Sequence, residues 1–151
     1  MFKKLLNNNY NSNNMYPPEL TLPLAKDLTD FGFEGLTSPD EVSEVLDKKE
    51  GTVLLVVNSV CGCAAANARP GAKMAVQSDK RPDKLVTVFA GVDREAVEIA
   101  RDYLLPYPPS SPAIALFKDG KLVHMLERRH IEGNSARVIA DNLAHAFDVY
   151  C

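Results

Sequence analysis

Thr52-Val53-Leu54-Leu55-Val56-Val57 is a continuous β-branched and aliphatic run with no polar alternation, the pattern of a strand buried on both faces of a largely parallel sheet. The patterns around it change period. Upstream, Leu20, Leu24 and Leu28 recur every four residues and predict a helix from Pro17 to about Phe31, ended by Gly32 and Gly35. Pro23 interrupts that pattern, so the helix could instead begin there, with Pro23 in its first turn. Ser38-Pro39-Asp40-Glu41 reads as an N-cap, a proline at the first helical position and an acidic residue at the third. Val42, Val45 and Leu46 then share one face of a helix ending near Lys49.

Downstream, Ala64, Ala65, Ala66 and Ala68 predict a helix of little bulk that can lie close on the sheet, kinked or ended by Pro70. A second strand falls within Asp83 to Phe89, with Val86-Thr87-Val88-Phe89 as its apolar part. Asp93 is placed to cap a helix whose apolar side is Val97, Ile99, Ala100, Tyr103 and Leu104. Ala113-Ile114-Ala115-Leu116-Phe117 and Leu122-Val123-His124-Met125-Leu126 flank Lys118-Asp119-Gly120-Lys121, a β-hairpin signal. A last helix from about Asn134 turns Val138, Ile139, Leu143 and Phe147 inward.

Composition narrows this picture. With 46% of 151 residues hydrophobic, the chain suits one domain with a real core. That domain is expected over residues 15–151. Residues 1–14 carry the polar run Asn7 to Asn14, which offers nothing to bury and predicts a disordered leader; translation could start at Met1 or at Met15. The net charge of −3 comes without a basic stripe, which argues against a nucleic-acid partner, and the apolar runs are too short to span a bilayer. Three cysteines, two of them nearly adjacent, are not a disulfide framework, and a reducing cytoplasmic setting follows.

Those two are Cys61 and Cys63, separated by Gly62, at the point where the apolar run stops and the alanine-rich helix begins. A thiol at a first helical turn meets unpaired N–H groups and the positive end of the helix dipole, both of which favour the nucleophilic thiolate. Residues two apart on a regular helix point away from each other, so Cys61 must precede the helix proper. Gly62 is the residue type best able to bring the sulfurs together. A disulfide across one intervening residue departs from relaxed geometry and should be transient. Two other readings stay open: small residues packed at a strand end, or a Cu(I) or zinc site, of which a closed zinc site would need further ligands from Cys151 and three scattered histidines.

The order helix, helix, strand, helix, strand, helix, strand, strand, helix resembles a thioredoxin-like α/β fold: a central mixed four-stranded sheet flanked by helices, with extra N-terminal helices. In such folds a cis proline before the third core strand faces the cysteine pair, and its neighbour offers backbone hydrogen bonds to substrate. That resemblance implies a cis Ser111–Pro112 bond. Asn58-Ser59-Val60-Cys61-Gly62-Cys63-Ala64, Ala68-Arg69-Pro70, Val86 to Gly91, Pro108 to Pro112 and His130-Ile131-Glu132-Gly133 are also similar to the bacilliredoxins, from about Thr37 to Cys151. The resemblance implies a thiol-disulfide oxidoreductase that removes bacillithiol, or a similar low-molecular-weight thiol, from S-thiolated proteins. Cys61 would attack and Cys63 would resolve or moderate it.

Several further expectations attach to this reading. No cofactor is expected to be bound: the small thiol is co-substrate, and a separate reductase or thiol pool recycles the enzyme, with a homodimer implied by resemblance alone. Gly62, Ser111, Pro112 and Arg69 are candidates for substrate contact, Arg69 either balancing a thiolate or carboxylate or simply solvated. Cys151 could resolve Cys61, bridge two subunits or be inert. His130 could protonate a leaving thiol, though a loop histidine with a structural hydrogen bond is the better reading. The Asn-rich leader and Ala65-Ala66-Asn67 depart from the family pattern without touching the sulfurs. General protein disulfide isomerase or reductase chemistry is the alternative function.

Overall fold

The computed structural model describes residues 16–151, so the expected leader over 1–14 and the choice between Met1 and Met15 lie outside the described residues. The elements are α1 (Pro18–Thr29), β1 (Glu34–Gly35), α2 (Pro39–Leu46), β2 (Thr52–Asn58), a π-helical turn (Ala64–Ala68) running into α3 (Arg69–Ala75), β3 (Lys84–Phe89), α4 (Arg94–Tyr103), β4 (Ala113–Lys118), β5 (Lys121–Leu126), α5 (Arg128–Ile131) and α6 (Ala136–Tyr150). The sheet order is β1-β3-β2-β4-β5. Strand β2 lies at its centre, parallel to β3 with Asn58 opposite Phe89, and antiparallel to β4 with Val57 opposite Ala113.

The unbroken apolar run of β2 is explained by helices on both sides. Leu54 and Val56 join Ile114 and Leu116 beneath α3 and α6, in a core with Ala72, Leu143 and Phe147. Val53, Leu55 and Val57 face the other way and meet Val42 and Leu46 of α2 and Val97 and Ala100 of α4. With neither face solvated, the residues between Thr52 and Asn58 are all aliphatic, and the two polar ends have their own hydrogen-bond partners. A close helix–helix contact forms at Gly71 of α3, where a Cβ would lie 2.6 Å from Ile139 Cγ2 and 3.1 Å from the Ala136 carbonyl of α6. A side chain there would push α6 away.

The structure corrects several expectations. A fifth strand, β1, pairs in parallel with β3 through Glu34 and Gly35. Two residues are too few for a periodic signal, and Gly35 reads as a helix breaker. In α1, Leu28 is fully buried but Leu20 is 47% exposed. A step of four residues turns a helix by about 400°, so Leu20 lies about 80° around the axis from Leu28 and slips off the buried stripe. Pro23 sits within α1 rather than at its start, on an exposed turn. Helix α2 stops at Leu46, short of Lys49. The final helix starts after Ser135, whose hydroxyl accepts the Val138 N–H, and Val138 points outward.

Two turns behave as the residue types demand. Asp119 and Gly120 both have positive φ, 51° and 80°, which builds the tight two-residue turn between β4 and β5. Asp119 also accepts the Gly51 N–H at 2.9 Å, tying that turn to the start of β2. Asp93 stands at the N-cap position of α4, but its carboxylate makes no cap bond and accepts the Phe89 N–H at 3.2 Å instead. Burial pushes its pKa up to about 6 against that hydrogen bond.

Candidate active site

At the carboxyl end of β2 the chain leaves the sheet at Asn58 and reaches Cys61 three residues later. This segment is held from within. The Asn58 side chain donates to the Leu24 carbonyl at 3.1 Å and accepts the Ser59 N–H at 2.9 Å. The Ser59 hydroxyl accepts the Cys61 N–H at 3.2 Å. Beyond it Gly62 and Cys63 are helical, and the Cys61 carbonyl accepts the N–H groups of Ala64 and Ala65 at 3.0 and 3.3 Å. Cys61 therefore occupies the position just outside the helix. The wide π-helical turn then leads to Pro70, which has no N–H for a regular helical bond, so the chain continues where a kink or stop was expected.

This placement makes the two thiols unequal. The Cys63 N–H points at the Cys61 sulfur, N to Sγ 3.4 Å. The Cys63 thiol also donates to that sulfur, and this is the main reason the Cys61 pKa is lowered. Burial opposes it, and the Cys63 N–H, the Arg128 charge and the Ala64 N–H assist. Cys63 moves the other way, raised by burial, by its hydrogen bond to Cys61 and by the charge Cys61 carries when ionised. Cys61 is the more readily ionised of the two, and Cys63 holds its proton more tightly beside it. Gly62 lies in helical backbone, and a Cβ there would meet nothing within 4 Å. Its missing side chain leaves open space beside the sulfurs.

The Ser111–Pro112 peptide is cis, and Ser111 lines the same cleft as Cys61. A second cis bond, Leu105–Pro106, has no counterpart in the sequence reading. The cleft has a volume of about 570 Å³ and its walls also carry Arg94, Glu98, Arg101 and Arg128. Arg128 begins α5, where its N–H donates to the Ser110 hydroxyl at 2.7 Å and a guanidinium N–H reaches the Ser111 carbonyl at 3.5 Å. It thus fastens the cis-proline loop and presents positive charge to Cys61. Its own pKa is raised chiefly by Cys61 and then by Cys63. Sequence reasoning gave Arg128 no role in the site, because nothing local joins a cysteine to an arginine so far along the chain.

Arg69, a candidate for substrate contact, is buried at 3% exposure and lies beneath the site rather than in it. Its Nε donates to Asp27 at 2.9 Å, and another N–H bonds Asn58 Oδ1 at 3.0 Å and the Ser59 carbonyl at 3.2 Å. Partial burial raises the Asp27 pKa, but Lys73 at 2.6 Å and Arg69 outweigh it and hold the carboxylate below its usual range. Arg69 therefore fixes the backbone that carries Cys61 and is not solvated. His130 uses Nδ1 to accept the Glu127 N–H at 3.0 Å, completing a capping box at α5, and lines a different cavity from Cys61.

Cys151 stands at the opposite end of β2, where its thiol bonds Thr52. Seven residues of strand separate the two ends, roughly 20 Å at about 3.3 Å per residue. It cannot resolve Cys61 within one chain. Among the described residues no group of three or more histidine, cysteine or acidic side chains could hold a metal ion, so a closed zinc site lacks its remaining ligands there. Also among those residues, no helix is long and apolar enough to cross a membrane.

The comparisons with known proteins agree with this geometry. The family model described as disulphide isomerase matches residues 16–151. A bacilliredoxin of Cytophaga hutchinsonii is 57% identical over 89% of this chain and 98% of its own length, and one of Salinibacter ruber is 54% identical over 90% and 81%. Among solved structures, Malassezia sympodialis thioredoxin covers 79% of this chain and 90% of its own at TM-score 0.54 and 17% identity. Oxidised mitochondrial thioredoxin 3 of Saccharomyces cerevisiae covers 82% and 98%, also at 0.54 and 17%. At that identity the structural matches establish the thioredoxin-like fold alone.

Proposed function

The chain belongs to the disulphide isomerase family, to which it is joined by its bacilliredoxin relatives, and is a thiol-disulfide oxidoreductase; we propose that it removes bacillithiol, or a similar low-molecular-weight thiol, from S-thiolated proteins. The carrying observation is the asymmetry of the pair: the Cys61 thiol is acidified by Cys63 and opens into an arginine-lined cleft beside Ser111. The Cys61 thiolate attacks the sulfur on the small-thiol side of the mixed disulfide. A new S–S bond forms to Cys61 as the old one breaks, and the protein sulfur departs with the electron pair and takes a proton. Cys63 is then the internal candidate to displace the small thiol, leaving a Cys61–Cys63 disulfide, and a thiol pool or separate reductase of a reducing cytoplasm restores both thiols. Attack is fastest for a thiol whose pKa lies near ambient pH, which suits a lowered Cys61.

The family description itself favours a second reading, in which the same pair reduces or isomerises protein disulfides. Mass spectrometry of the wild type, Cys61→Ala and Cys63→Ala proteins separates the two, using a carrier protein S-thiolated with bacillithiol and, in parallel, with glutathione. The proposal expects the small thiol trapped on Cys61 in Cys63→Ala and no transfer in Cys61→Ala. Intact substrate in every case, with rearrangement of a scrambled-disulfide protein, would establish the second reading instead.

A further inference from the structure

The cleft beside Cys61 has a charge pattern that disulfide exchange by itself does not require. Arg94, Glu98 and Arg101 lie at i, i+4 and i+7 on α4, a spacing that puts them on one helical face, and all three line the cleft with Arg128. Three guanidinium groups are opposed there by the single carboxylate of Glu98 among the lining residues. Arg128 already serves the thiolate, the Ser111 carbonyl and Glu132, the last at 3.5 Å. Arg101 differs from it: it lines the cleft, and its buried Nε has no hydrogen-bond partner among the described residues. A buried donor on a charged group is costly to leave unmatched, and a planar guanidinium suits a carboxylate.

We infer that the α4 face bearing Arg94 and Arg101 is the subsite for a carboxylate of the small thiol, with Arg101 as its specificity-determining residue. The inference rests on the oxidoreductase reading proposed above and adds where each half of a mixed disulfide lies. A carboxylate held on α4 puts the attached sulfur beside Cys61, so the small-thiol sulfur is the one attacked. The protein half is left to the open side of the site at Gly62. Glu98, between the two arginines on the same face, limits how much negative charge the subsite accepts.

The test uses one carrier protein S-thiolated either with mercaptosuccinate, which has two carboxylates, or with neutral 2-mercaptoethanol. The wild type is expected to favour the mercaptosuccinate form about tenfold in kcat/KM, mostly through KM, the size of a charge-assisted hydrogen bond. Arg101→Gln should bring the ratio near one, Arg101→Lys should retain part of the preference, and Glu98→Gln should raise it. Equal use of the two substrates by the wild type, or an unchanged preference in Arg101→Gln, would overturn the inference while leaving the oxidoreductase reading intact. Should neither substrate react, that reading fails, and the subsite is still decided by Cys61 alkylation with iodoacetate against iodoacetamide. The iodoacetate-to-iodoacetamide rate ratio should fall in Arg101→Gln, and a ratio that does not move would overturn the subsite.

Discussion

The two ends of β2 carry the same functional group in opposite conditions. At the carboxyl end, Cys61 has a lowered pKa, a partner thiol donating to it, an arginine across the cleft and a backbone locked from below by Asn58 and Arg69. At the amino end, Cys151 is exposed at the end of α6, and its pKa is raised by loss of solvent around the sulfur and by the charge of Asp83, against a hydrogen bond with Thr52. Reactivity is therefore a property of the strand end and not of cysteine. Where a parallel pair such as β2 and β3 delivers its carboxyl ends, the following helix presents unpaired N–H groups. The amino end offers side-chain acceptors such as Asp83 and Asp119, which take the Thr52 and Gly51 N–H groups.

The severest test of this contrast is exchange of sulfur for oxygen at each end. Cys61→Ser should lower the rate of mixed-disulfide reduction by at least about 10³-fold, since a hydroxyl is not ionised at neutral pH and cannot form the intermediate. Cys151→Ser should stay within about twofold of the wild type, as expected of an exposed residue away from the reacting atoms. A large loss in the second variant would mean that the amino end takes part, through a second subunit.

Next in size is the support beneath the active end. Asp27→Asn should destabilise the fold by about 3 kcal/mol, measured by urea denaturation, because it leaves the buried Arg69 charge without its carboxylate. Lys73 loses the same partner, but it is more exposed and contributes less. Slower Cys61 alkylation under native conditions should accompany the change if Arg69 fixes the Asn58–Ser59 backbone. Loss of stability with unaltered alkylation would reduce Arg69 to a purely structural residue.

Asp93 also lies at the active end, just beyond β3, and its raised pKa has a definite consequence for stability. In the unfolded chain its carboxyl titrates near 4. Between that value and about 6 the folded protein binds more protons than the unfolded one, so this contribution is present below the unfolded pKa and is lost as pH rises through the folded one. Asp93→Asn can still accept the Phe89 N–H and removes the ionisation. Allowing for partial solvent screening, it should stabilise the protein by about 2 kcal/mol at pH 8 and by little at pH 4, read as a Tm difference that grows with pH. A difference independent of pH would show that burial of the charge is not the cause.

How far the sequence announces these features follows from the range of the interactions. Strand β2, the Ser38 cap, the Asp119–Gly120 turn and the position of Cys61 ahead of its helix are written in consecutive residues, and the structure has them as read. The cis Ser111–Pro112 bond was accessible only through resemblance to a fold. Strand β1 and α5 are too short for periodicity, and the π-helical turn interrupts an alanine run that gives no sign of it. Arg69 and Arg128 exchange the parts their sequence neighbours suggest. The arginine just after the cysteines goes under the sheet end, and the distant one faces the thiols, because β4 and β5 bring α5 back over the end of β2.

The smallest effect probes the contrast directly, within one molecule. Alkylation of each cysteine followed by peptide mass spectrometry across pH gives two titration curves, since only the thiolate reacts. Cys61 should reach half its limiting rate below the pH of an ordinary thiol and Cys151 above it. Near neutrality this makes Cys61 the faster site by about tenfold, because a thiolate's intrinsic nucleophilicity falls as its pKa falls and offsets part of its greater abundance. In Cys63→Ala the largest cause of the low Cys61 pKa is gone, so its curve should move to higher pH while that of Cys151 stays where it was. Cys63→Ser keeps a hydroxyl donor and should move the Cys61 curve less than Cys63→Ala does. If both substitutions moved it equally, the acidity of Cys61 would have to come from the helix terminus and Arg128, and the partner thiol would be left only its part in the exchange.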